Sequence, residues 1–178
     1  MAIKSILSPV IVEDTPVARE AADFGARLAA LLGARLQALI VVPRIPLPAA
    51  FALPAARAMV DEANAGRKRR AEQFRTDLGA VKAGGIVDCE IVADRYLEAR
   101  ARIVAAARMS DLVVMTPAAE VMEARHDVMR ALLFESGRPL LLVPPGWDKA
   151  PAWKRVVVAW DGGAPSADRK STRLNSSH

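Results

Sequence analysis

Cysteine, histidine and aromatic residues are all scarce in this chain. A single cysteine, Cys89, excludes an internal disulfide framework and fits a reducing compartment. Aromatic residues make up 4% of the 178 positions, so the core must be built from Ala, Val, Leu and Ile. No apolar run approaches the ~20 residues that span a bilayer, and the residues after Met1 are not expected to form a cleavable leader. His126 is the one histidine before the C-terminal tail, with no second His or Cys near it in sequence, so no metal site is expected. Glycine is absent from the whole stretch between Gly85 and Gly137.

What is present is a hydrophobic share of 52%, enough for a sizeable core. Ile3 to Val12 is a nearly continuous apolar run, as in a strand buried on both faces. Asp14, Thr15 and Pro16 then read as a helix start, with Val17, Ala21, Phe24, Leu28 and Leu31 at helical spacing. Gly33 should end that helix in the left-handed conformation. Leu36 to Val42 reads as a second strand, and the proline-rich stretch Pro43 to Pro54 as irregular.

A long helix is predicted over about 56–82, with Val60, Ala63, Ala71, Phe74 and Leu78 on one stripe and Gly84 and Gly85 as its stop. A third strand over 86–93 follows. The next helix carries Leu97, Ala101, Val104 and Arg108 on one side. A fourth strand over 111–116, a helix marked by Val121, Val128 and Leu132, and a fifth strand over 139–143 complete the series. Regular alternation of strand and helix predicts an α/β fold: an open parallel sheet, doubly wound, with right-handed crossovers.

Pro144 to Trp153 has the composition of a linker. Beyond it, Ala152 to Trp160 echoes Ala2 to Val10 in pattern, at a constant offset of 150 residues. The expected organisation is therefore a first repeat over 1–145, a linker over 146–153 and the start of a second repeat over 154–167. Asp168 to His178, DRKSTRLNSSH, matches the translation of a common sequencing-library adapter. A non-native tail truncating the second repeat is the expectation. The net charge of +5 includes +2 from that tail, which leaves about +3 and a weak case for a polyanionic partner.

Several stretches together resemble the universal stress protein family. Ile6-Leu7-Ser8-Pro9-Val10 is similar to its first strand, and Leu28 to Val42 to its helix end, glycine stop and second strand. Ser110 to Met115 is similar to its fourth strand and Ser136 to Pro144 to its ending. The resemblance implies a five-stranded parallel sheet in the order 3-2-1-4-5, a Rossmann-like arrangement, often paired as dimers or tandem repeats. It implies a non-catalytic, cytoplasmic, bacterial stress-response protein whose partner is its own second repeat or a second copy, with no membrane and no nucleic acid.

Nucleotide-binding members of that family carry a glycine-rich loop after the fourth strand, where backbone N–H groups crowd around phosphates. Here Thr116 and Ala119 stand where the first two glycines would fall, Pro117 lacks a donor, and Glu120 and Glu123 add negative charge. The first strand also continues into Ile11 and Val12, where the family places an Asp that contacts adenine. This repeat is therefore expected to hold no ATP. The resemblance carries an adenine contact to Asp161 of Asp161-Gly162-Gly163, so that ATP would belong to an intact second repeat; the plainer reading of Asp161 is a turn residue.

No catalytic constellation stands out. Asp127 beside His126 does not form a pair, because successive helical residues do not face each other. Cys89 reads as a small core residue. Arg67-Lys68-Arg69-Arg70 is the densest basic cluster, expected to be a solvated helix surface with its stems over the core. Two other classes stay open: a nucleic-acid-associated regulator using that cluster, and an enzyme subunit of the electron-transfer flavoprotein type, which would need a dinucleotide loop.

Overall fold

A computed structural model of the chain describes residues 2–13, 17–46, 53–80, 86–118 and 124–151. Five strands and four helices alternate: β1 (Ser5–Ile11), α1 (Glu20–Leu32), β2 (Arg35–Pro43), α2 (Pro54–Gly79), β3 (Ile86–Asp94), α3 (Tyr96–Arg108), β4 (Leu112–Met115), α4 (Ala124–Glu135) and β5 (Leu140–Leu142). All pairings are parallel, in the order β3-β2-β1-β4-β5. The α/β fold and the strand order expected from the sequence are both present.

The sheet separates two helical layers. Successive β1 side chains alternate between them: Leu7 and Ile11 face α3 and α4, while Ile6 and Val10 face α1 and α2. Burial on both faces is why β1 reads as a nearly continuous apolar run rather than an alternating one.

The helix ends show where tertiary contacts override local signals. Gly33 takes φ 62° and its N–H closes onto Ala29 and Ala30, as a left-handed cap requires. The start of α1 lies later than Asp14, Thr15 and Pro16 suggest. Those three residues lie outside the described ones, and the helix begins at Glu20 with Arg19 preceding it and no side-chain cap from Arg19 itself. A donor of the first turn is met from elsewhere in the fold: Ala21 N–H donates to Thr116 Oγ1 at 3.2 Å.

α2 begins at Pro54, with proline in its first turn, and ends at Gly79, ahead of the expected Gly84-Gly85 stop, which lies outside the described residues. Only Ala71, Phe74 and Leu78 of its stripe are fully buried. In α3 the inward face is Ala99, Ile103, Val104 and Ala107, and Leu97 is 75% exposed. The expected stripe was rotated, because the i, i+4, i+8 series of small and branched residues fits closer to the sheet than Leu97 and Ala101 do. Val121 lies outside the described residues; Val128 and Leu132 of α4 are buried as expected.

Asp111 ties the first strand to the fourth. Its Oδ2 accepts from Lys4 N–H and Ser5 N–H at 2.9 Å each, and from Ser5 Oγ at 3.0 Å. The Lys4 N–H, then the Ser5 hydroxyl and N–H, hold its carboxyl below the ordinary carboxylate range. A carboxyl whose folded value is depressed stabilises the fold above the unfolded value, about 3.9, and loses that contribution as pH falls through the folded value. We expect Asp111→Asn to flatten the dependence of the urea midpoint on acidity between about pH 5 and pH 2. Parallel curves for the two proteins would show that the carboxylate does not carry this contribution.

Candidate functional site

In open α/β sheets ligands bind beyond the carboxyl ends of the strands, at the point where strand order reverses. Here that point lies between β1 and β4. Ser8 to Ile11, Thr116, Ala18, Ala21, Ala22 and Arg125 surround it, and the enclosed space is only about 10 Å³, the room of a single water. Alanines at the start of α1 approach the sheet closely and fill the crevice. Thr116, 4% exposed, is held by its bond to Ala21 N–H. Ser8 is fully buried and its Oγ has no protein partner.

The rim of this crevice is charged but engaged. Glu20 Oε1 accepts from Gly146 N–H at 3.0 Å. Burial works to raise the Glu20 carboxyl, but that N–H, those of Glu20 and Arg19, and the charge of Arg125 together hold it below its usual range. Through this bond the segment after β5 folds back over α1, and Arg27 Nη2 reaches Lys149 O at 3.5 Å farther along. Gly146 and Lys149 of the expected linker thus each contact α1, while residues 146–150 stay exposed.

The other residues singled out from the sequence fall in several places. Asp161, Ala119, Glu120 and Glu123 lie outside the described residues, as do 154–167 and the 168–178 tail. The basic cluster on α2 divides. Arg67 Nη1 donates to Pro43 O at 2.8 Å and Arg70 Nη2 to Glu13 O at 2.9 Å, at the ends of β2 and β1. Arg69 pairs with Glu62 at 2.7 Å. Two of the three guanidinium groups therefore point into the fold, where the sequence suggested that only their stems would lie over the core. Cys89 lies half-buried on the edge strand β3; burial pushes its thiol up, Arg75 opposes and Asp88 adds to the rise. Asp127, adjacent to His126, pairs instead with Arg100 at 3.2 Å. Tyr96 OH lies 3.1 Å from both Asp127 Oδ2 and Ala124 O, and burial, with the Asp127 contact next, pushes its hydroxyl up to about 12. Among the described residues no group of three His, Cys, Asp or Glu could hold a metal ion, and no helix is long and apolar enough to cross a membrane.

Sequence reasoning missed a second concavity on the same edge of the sheet. It lies beyond the ends of β2 and β3, between the N-terminal halves of α2 and α3, with a volume of about 750 Å³. Arg44, Asp94 and Arg95, each just at or after a strand end, were the available signal.

No protein-family model matches the sequence, and no curated protein matches it. Solved structures do match the fold. Universal stress protein UspA from Lactobacillus plantarum superposes with a TM-score of 0.57 at 20% identity, covering 80% of this chain and 99% of that one. A universal stress protein from Archaeoglobus fulgidus gives 0.50 at 13% identity, covering 80% of this chain and 94% of that one. With the parallel order β3-β2-β1-β4-β5 and helices on both faces, the chain has the Rossmann-like fold of the universal stress proteins.

Proposed function

We propose that residues 1–145 form a universal stress protein repeat that acts in the cytoplasm by binding and assembly, not catalysis, and holds no adenine nucleotide at its own switch point. The carrying observation is Thr116. In place of a glycine it brings a side chain whose oxygen accepts from the α1 start, and the space left beside it is about 10 Å³. Small-molecule sites need some hundreds of Å³. A triphosphate would have to displace Ala18 together with Ala21 and Ala22 at the start of α1.

The partner in this reading is the second repeat of the same chain or a second copy. β5 is an edge strand of three residues. Leu142 on it, and Leu133 and Phe134 in the helix before it, are 41%, 51% and 81% exposed. An intact second repeat, through Asp161, would carry any ATP, making the whole protein an adenine-nucleotide sensor. A nucleic-acid role for the Arg67 cluster is less well supported, because Arg67 and Arg70 are engaged by main-chain carbonyls.

The test is a calorimetric titration of the 178-residue chain with Mg-ATP. We expect no saturable heat below about 1 mM, equivalent to about −4.1 kcal/mol. Micromolar binding that perturbs the amides of Ser8 and Ala21 would overturn the proposal.

A further inference from the structure

The groove beyond β2 and β3 is distinct from the closed switch point, and three arginines and three carboxylates line it. Its walls are fixed by main-chain bonding. Arg44 N–H donates to Asp94 O at 3.0 Å, which continues the β2–β3 ladder past Pro43. Ile45 N–H donates to Asn64 Oδ1 at 3.0 Å and thereby clamps the same segment to α2. Ile45, Pro46 and Val60 give the lining an apolar portion.

Three carboxylates line the groove and each has an internal partner. Asp61 faces Arg57 at 4.0 Å, one turn away on α2. Asp94 faces Arg102 at 3.9 Å. Glu98 Oε2 accepts from Arg95 N–H at 3.2 Å and caps the start of α3. Two guanidinium groups remain. Among the described residues neither Arg44 nor Arg95 has a carboxylate within ion-pair distance of its side chain. The 13-residue helix α3 begins beside Arg95.

We propose that this groove binds a small organic anion: a carboxylate or phosphate monoester joined to an apolar group, with its charge on Arg44 and Arg95 and its body against Ile45, Pro46 and Val60. Guanidinium forks match either anion in two-point geometry. A volume of about 750 Å³ suits a molecule of metabolite size. The site is independent of the switch point, so it stands or falls apart from the nucleotide-free reading.

The isotope-labelled 178-residue chain, titrated with phenyl phosphate and with benzoate, provides the test by nuclear magnetic resonance. Saturable shifts should appear at the Arg44 and Arg95 side-chain N–H groups and at the Tyr96 and Leu97 amides, with a midpoint below about 1 mM for at least one probe. Arg44→Gln with Arg95→Gln should weaken binding at least about tenfold, and Arg130→Gln, an exposed arginine on α4, should leave it unchanged. Inorganic phosphate alone should bind more weakly than phenyl phosphate. The proposal is overturned by shifts scattered over the surface, by unaltered binding in the double variant, or by inorganic phosphate binding as well as phenyl phosphate.

Discussion

Phe74→Ala is expected to destabilise the domain by about 3–5 kcal/mol, the range for deleting a buried aromatic ring. α2 is 26 residues long, yet Ala71, Phe74 and Leu78 are its only fully buried residues among those described. Phe74 is the largest of them and is 4% exposed. Arg19 lies over its ring at 5.8 Å from the centroid and pairs with Asp77 at 2.8 Å, so the ring also helps seat the residue that precedes α1. The loss should therefore concentrate on α2. Hydrogen exchange along α2 should accelerate more than along α3 or α4, and the melting temperature should fall by roughly 6–20 °C, at about 2–4 °C per kcal/mol for a chain of this size. A loss below about 1 kcal/mol in urea unfolding would mean that α2 is held mainly by its polar contacts.

Leu7→Ala should cost about 2–5 kcal/mol, with the upper half of that range favoured by its position. β1 is the middle strand of five, and Leu7 has no exposed surface. Its side chain joins the cluster of Leu39, Ile103, Val113 and Leu132, drawn from two neighbouring strands and from both helices of that layer. Such a site collapses poorly after truncation because strands paired on both sides cannot shift inward. Leu133→Ala, at a side chain 51% exposed on α4, should change stability by no more than about 0.5 kcal/mol. Equal effects at the two positions would contradict the two-layer packing described above.

The elements whose hydrophobicity matches their burial were readable in advance. β1 and β2 are buried on both faces and announce themselves as continuous apolar runs. Gly33 closes α1 for a reason local to its own backbone. Signals that depend on distant partners were not readable. The α1 start depends on Thr116, 95 residues away in sequence, and no local motif encodes that bond. The face of α3 was misplaced because Leu97 is more apolar than Ala99, although Ala99 is the residue small enough to lie against the sheet. At the switch point the missing glycines were visible in sequence, but the tightness produced by three alanines was not. The second groove was harder to read: its charged residues at strand ends are visible, but it joins Arg44 to Arg95 across a crossover of about 50 residues, and arginines that far apart carry no shared pattern.

The central position of β1 has a consequence for synthesis. Ile6 pairs with Leu112, so the strand made first waits for a neighbour 106 residues downstream. At roughly 5–20 residues per second, the nascent chain presents one side of its central strand for about 5–20 seconds before β4 leaves the ribosome. A chaperone that shields nascent apolar strands would find its longest-lived target in Ser5 to Ile11, well ahead of any later segment of the sheet.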